Sequence, residues 1–88
     1  MRENTMEDQE RKELVESYGG KAVGLTFNPS KLLAVDVIKT NFAEIINDLD
    51  QTRADAEDGE VKRMCSVAIT EAQSAQMWAV KALTWGKN

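Results

Sequence analysis

Val35-Asp36-Val37-Ile38-Lys39-Thr40-Asn41-Phe42-Ala43-Glu44-Ile45-Ile46-Asn47-Asp48-Leu49 is the stretch on which the fold turns. Val35, Ile38, Phe42, Ile45 and Leu49 recur at spacings of 3, 4, 3 and 4, a heptad-type seam. Leu32 and Ile46 widen it. A seam of this kind belongs to a helix lying along an antiparallel partner, and the helix is expected to run from residue 31 to residue 54.

The partner comes next in the chain. Asp55-Ala56-Glu57-Asp58-Gly59 reads as helix end and turn, with Gly59 in the expected left-handed position. A second long helix is expected over residues 60–85, stopped near Gly86. Its Ala68, Ala72, Ala75, Ala79 and Ala82 step by 4, 3, 4 and 3, a small-residue stripe that lets another helix approach closely. Met64, Ile69, Val80 and Leu83 lie beside it, with Trp78 and Trp85 seven residues apart on one face. One neighbouring helix covers one stripe, and the apolar surface left over calls for a second copy of the chain.

Upstream, residues 3–17 read as a short, very polar helix whose only aliphatic pair is Leu14 and Val15; it is expected to lean on a neighbour or fray. Residues 18–30 then hold Gly19, Gly20 and Gly24, read as helix breakers. Leu25-Thr26-Phe27 is extended by propensity. Asn28 is pushed extended by Pro29, and Ser30 is the expected N-cap of the next helix. A structured Gly-rich loop is expected here in preference to a short strand. The fold class is therefore all-α: N-terminal helix, loop and antiparallel hairpin in one domain spanning 1–88.

Size and charge narrow the function. A single core of 88 residues is thin, and Cys65, the only cysteine, cannot pair within the chain. One unpaired cysteine fits a reducing cytoplasm, and oligomerisation is the expected source of extra burial. No apolar run reaches the roughly 18 residues of a membrane span, and the charged N-terminus is not that of a signal peptide. The net charge of −4 is uneven. Residues 36–60 carry eight acids and two bases, whereas residues 17–35 carry no acid and two bases, Lys21 and Lys31. An acidic chain is a poor binder of DNA or RNA, but a small anion fits where the local sign is positive.

No catalytic constellation is present. The chain has no histidine, so no nucleophile has a histidine base, and Cys65 alone cannot hold zinc. Asp48/Asp50 and Glu57/Asp58 are solvated charge at helix ends. Gly19-Gly20-Lys21 lacks the order of a phosphate loop. No catalytic residue, metal or cofactor is expected. A small nucleotide suits residues 18–31 better. Tyr18 offers a flat face for a base, worth about 1–3 kcal/mol per base stacked. Gly19, Gly20 and Gly24 permit close approach and backbone amide donors. Lys21 and Lys31 offer point charges for phosphate, and Thr26, Asn28 and Ser30 offer hydrogen bonds. The competing reading is an ordinary connector made of turn residues, with Arg63 a solvated charge and the tryptophans core or subunit contacts.

A resemblance shifts that balance. Arg63-Met64-Cys65-Ser66-Val67-Ala68-Ile69-Thr70-Glu71-Ala72-Gln73-Ser74-Ala75-Gln76-Met77-Trp78-Ala79-Val80-Lys81-Ala82 resembles the closing helix of a family of phage sponges. Its pattern is an arginine, then Ser-x-Ala-x-Thr, then Met-Trp-Ala. Val23-Gly24-Leu25-Thr26-Phe27-Asn28-Pro29-Ser30 is similar to a second stretch of the same family. The resemblance covers about residues 18–85, and the branch most similar is the anti-CBASS sponge, whose hairpin is shared with the Thoeris anti-defence sponge.

The resemblance implies non-catalytic sequestration of cyclic di- and trinucleotide messengers, such as 3′,3′-cGAMP, in the host cell cytoplasm, so that CBASS effectors are not activated. It implies a homohexamer of hairpins with cyclic dinucleotides between protomers and trinucleotides at separate sites. The dinucleotide site then comprises Tyr18, Gly19, Lys21, Gly24, Thr26, Asn28, Pro29, Ser30 and Lys31. Tyr18 is the stacking residue and either Lys21 or Lys31 contacts phosphate. Arg63 falls to the trinucleotide site, and the alanine stripe and Trp78 to packing. The rival function is a protein-interaction module docking through its hairpin on a host or phage protein, with the glycine segment a mere connector.

Overall fold

The two long periodic segments form the expected hairpin, and a short third element packs into its side. The computed structural model describes residues 7–87 as four helices: α1 (Asp8–Glu16), α2 (Tyr18–Val23), α3 (Leu33–Asp55) and α4 (Gly59–Leu83). No strand occurs among the described residues. Part of the expected 3–17 helix lies outside them. The remainder is α1, opened by Glu10 Oε1 accepting from the Glu7 amide at 3.1 Å, a capping-box contact. α1 leans on α3 as expected: Arg11 donates to Asp36 Oδ1 at 2.7 Å and to Thr40 Oγ1 at 3.2 Å, and Leu14 is buried.

The seam of α3 is rotated from its expected phase. Its buried residues are Val35, Lys39, Ala43 and Ile46. Phe42 and Leu49 pack at the margin of the core, and Ile45 is 49% exposed. The heptad count assumes one partner, whereas α3 has α4 on one side and α2 on another. The stripe facing both lies between the two expected lines. In α4 the buried residues are Cys65, Ile69 and Gln76, with Ala72 against the core. The alanine stripe splits, leaving Ala75 and Ala82 exposed.

The glycine segment is the largest departure. Gly19 and Gly20 do not break a helix; they lie buried inside α2. A Cβ at Gly19 would overlap the Ala43 carbonyl of α3, and one at Gly20 would overlap the Leu14 carbonyl of α1. The glycines are there because backbone meets backbone, and packing offsets their helix-propensity cost of about 1 kcal/mol each. The loop begins only after Val23. Gly24 ends α2 in the left-handed region with φ 63°, and Leu25 tucks into the core.

Two expected caps also move. Ser30 is not the N-cap of α3, which is Leu32. The 28–31 turn places the left-handed residue, Lys31, between Ser30 and the helix. Gly59 has no positive φ and is the first residue of α4, while Asp58 caps it, its Oδ1 accepting from the Glu60 amide at 2.8 Å. Gly86, with φ 72°, lies just past the end of α4 as expected.

These placements predict opposite signs for two glycine substitutions. Gly19→Ala is expected to destabilise by about 1–3 kcal/mol through overpacking. Gly59→Ala, with nothing within 4 Å of the new Cβ, is expected to stabilise by roughly 0.5–1 kcal/mol. Urea denaturation at one fixed protein concentration checks both.

Candidate functional site

Tyr18 opens α2 and is 47% exposed. The rest of α2 is fixed around it. Asn47 of α3 accepts the Gly19 amide on Oδ1 at 2.7 Å and donates through Nδ2 to Ser17 Oγ at 2.9 Å. Ser17 Oγ in turn donates to the Leu14 carbonyl at 2.6 Å and accepts the Gly20 amide at 3.0 Å. One amide and one hydroxyl thus bind α1, α2 and α3 at a single point. The Gly19 and Gly20 amides, expected as donors to phosphate, are already used inside the protein. Gly24 is used as well: its amide closes the end of α2 and its carbonyl accepts from Lys39.

Beside the Tyr18 ring stands Arg53, its guanidinium carbon 5.6 Å from the ring centroid. Arg53 donates to Asp50 Oδ1 at 2.8 Å and to Ser66 Oγ of α4 at 2.9 Å, while its carbonyl accepts from Lys62 Nζ at 2.9 Å. The bond to Asp50, and then the contact with Tyr18, raise the already high Arg53 pKa further. Lys21 is exposed one turn along α2, on the same side as Tyr18. A flat ring and an ammonium therefore stand together on a helix held on two sides.

A second cluster forms where the chain enters α3. Asn28 organises it. Its Nδ2 donates to the Leu32 carbonyl at 2.9 Å, and its Oδ1 accepts from Ser30 Oγ at 2.7 Å and from the Lys31 amide at 3.1 Å. Lys31 adopts φ 59°. A non-glycine residue in the left-handed region costs on the order of 1–3 kcal/mol and persists where its surroundings impose it. Thr26, Pro29, Ser30 and Lys31 are exposed on this segment. Beneath it, the buried Lys39 donates to the Gly24 and Phe27 carbonyls and lies 5.5 Å from the Phe27 ring centroid. Burial lowers the Lys39 pKa, an effect partly opposed by Asp36.

Asn28, Pro29 and Ser30 also line a groove of ≈ 400 Å³, together with Val80, Thr84 and Lys87 beyond the middle of α4 and with Phe27, Val35 and Lys39. Two of its lining residues are lysines and none is acidic, a positive concavity on an acidic chain.

The two clusters do not meet within one chain. Their supports on α3, Lys39 and Arg53, are 14 residues apart, or about 21 Å along the helix axis. Arg63 stands apart from both, exposed near the hairpin tip and paired with Glu60 Oε2 at 2.6 Å. This pairing raises the Arg63 pKa and lowers that of Glu60. Among the described residues no group of His, Cys, Asp and Glu is arranged to hold a metal ion, and no helix is long and apolar enough to cross a membrane. Sequence reasoning misses Arg53, Asn47 and Lys39. The available signal is their register: 39, 43, 46/47, 50 and 53 form one helical stripe, so these polar groups sit at core spacing.

The sequence profile of the Acb2/Tad1 hairpin domain matches residues 20–84, the span from within α2 to just beyond α4. The chain belongs to the Acb2/Tad1 hairpin-domain family. This is the family that the Ser-x-Ala-x-Thr and Met-Trp-Ala segments resemble. No curated protein and no solved structure matches the chain. The Acb2/Tad1 hairpin consists of α3 and α4 here, and both clusters are mounted on it through α2 and the 24–32 segment.

Lys39→Met removes the donor to two carbonyls. It is expected to destabilise the protein by about 1–3 kcal/mol, measured by urea denaturation. The lowered Lys39 pKa adds a pH signature. Above it and below 10.5, the unfolded chain holds more protons at this site than the folded one, so wild-type stability rises with pH there. The gap between wild type and Lys39→Met is therefore expected to widen as pH approaches 10.5.

Proposed function

We propose that this chain sequesters cyclic oligonucleotide second messengers without converting them, and so keeps a bacterial CBASS effector from being activated in the host cell cytoplasm. The observation that carries the reading is the match to the Acb2/Tad1 hairpin domain over residues 20–84. The geometry agrees with it. Tyr18 stacks a base while Lys21 meets phosphate beside it. Thr26, Ser30 and Lys31 offer further donors on a turn that Asn28 and Pro29 shape. Gly19 and Gly24 serve the site as scaffold, since their backbone groups are already bonded.

Because the two clusters are separated along α3, a dinucleotide that uses both draws them from two copies of the chain. The open face of α4 suits such an assembly: Met64, Val67, Ala75, Trp78 and Ala82 lie along it and Trp85 follows in the turn just past its end, with Trp78 67% and Trp85 75% exposed. The oligomer proposed is a hexamer. Arg63 takes the cyclic trinucleotide at its own site, leaving Glu60 to do so.

Capture needs no chemistry, only mass action. A nanomolar dissociation constant corresponds to about −12 kcal/mol, within reach of two stacked bases and two phosphates enclosed in a preorganised site. Isothermal titration with 3′,3′-cGAMP is expected to give tight binding at less than one ligand per chain. Tyr18→Ala is expected to weaken it about 5- to 150-fold, the loss of 1–3 kcal/mol of stacking. Ligand recovered after denaturing the protein is expected to elute intact on chromatography. Hydrolysed ligand, or unchanged affinity in Tyr18→Ala, contradicts the reading. Arg63→Ala is expected to lose cyclic trinucleotide while keeping the dinucleotide.

A further inference from the structure

Tyr18 is the only tyrosine of the chain and is partly open to solvent. An aromatic ring at the start of a six-residue helix would ordinarily sample several rotamers, and each base stacked on it would have to stop that motion first. Here the ring has a neighbour that is itself tied down. The Arg53 guanidinium is 5.6 Å from the ring centroid, within cation–π range. One of its nitrogens is bonded to Asp50 and another to Ser66. These two bonds come from different helices, so the plane of the guanidinium is set by the hairpin itself.

The Ser66 contact is informative. A serine within a helix commonly turns its hydroxyl back to the carbonyl four residues before it. Ser66 Oγ instead accepts from Arg53 across the hairpin at 2.9 Å. It is also the serine of the Ser66-x-Ala68-x-Thr70 segment. Ala68 and Ile69 pack along the hairpin and explain the small and apolar positions, but packing gives no reason for a hydroxyl at 66. Holding Arg53 does. Lysine could not replace arginine there, since only a planar fork reaches a carboxylate, a hydroxyl and a ring face from one position.

Accordingly we propose that Arg53 is the positioning residue of the Tyr18 site. Clamped by Asp50 and Ser66, it covers one face of the ring and fixes it as a platform whose other face receives a nucleobase of the captured oligonucleotide. This rests on the sequestration reading for the identity of the ligand, but the clamp itself exists without ligand.

Two measurements separate these layers. With one tyrosine in the chain, ¹³C-tyrosine labelling reports on Tyr18 alone. In Arg53→Ala, Arg53→Lys and Ser66→Ala the ring signals are expected to move toward those of an unrestrained tyrosine. Ser66→Ala keeps Arg53 and Asp50 in place should Arg53→Ala fold poorly. Ring signals unmoved in the folded Ser66→Ala and Arg53→Lys proteins overturn the proposal.

The second measurement is calorimetric titration with 3′,3′-cGAMP. Arg53→Ala is expected to weaken binding by about 3- to 10-fold, the scale of one partly exposed cation–π contact plus the ordering of a side chain. In a Tyr18→Leu background, where no ring remains to be positioned, the same change is expected to have no effect. An equal loss in both backgrounds overturns the positioning role in favour of direct contact between Arg53 and ligand. Ring signals that move as expected in a protein that binds no 3′,3′-cGAMP support the clamp and reject the sequestration reading.

Discussion

Everything mounted on the hairpin depends on the contact of α2 with α3. Gly19 lies so near the Ala43 carbonyl that no side chain fits between them, and Asn47 bonds both the Gly19 amide and Ser17. Ser17 passes the connection on to Leu14 and Gly20. A six-residue helix has no stability of its own in water. This one stands because its backbone is packed against two neighbours and its first amides are bonded to side chains. Tyr18 and Lys21 inherit that rigidity. Loosening the junction would return them to a connector, and the entropy of ordering them would fall on the ligand.

The second constraint is electrostatic. The chain is acidic overall, with most of its acids in α1 and in the 36–60 stretch, yet residues 17–35 carry no acid. Lys39, buried beneath the 24–31 segment, holds two of its carbonyls, so a positive charge is built into the support of the loop. With Lys87 it makes the adjoining groove positive. The acidic remainder of the chain repels polyanions, whereas the field around this groove has the sign that attracts a small anion. Arg11, paired with Asp36 and bonded to Thr40, ties α1 to the same part of α3. The polar first helix thus acts as a brace.

The hairpin is legible in the sequence because periodicity is a direct record of which face is buried, and both long helices fall within two residues of their expected ends. Its phase is less legible. Counting every third and fourth apolar residue presumes one partner, and α2, which propensity does not reveal, pulls the buried stripe toward Lys39, Ala43 and Ile46. Gly19 and Gly20 read as breakers because propensity weighs a glycine against solvent, whereas here it is weighed against a carbonyl in the way. Tyr18, Lys21 and Lys31 are exposed where the sequence suggests a ligand surface. Gly19 and Gly24 are consumed in the packing. Arg53 shows in the sequence only as a polar group at core spacing, and its link to Ser66 and to the Tyr18 ring becomes legible only when the fold brings the three together.

The proposed ligand surface on α2 and the 24–32 segment is built before ligand arrives, and amide hydrogen exchange followed by mass spectrometry reports on this. Without ligand, the amides of residues 19–23 are expected to be protected nearly as well as those in the middle of α3. Addition of 3′,3′-cGAMP is expected to slow exchange chiefly over residues 24–32. Rapid exchange through residues 19–23 that becomes slow only when ligand is added would contradict the account, because the site would then be folded by its ligand and not by Asn47 and the glycines.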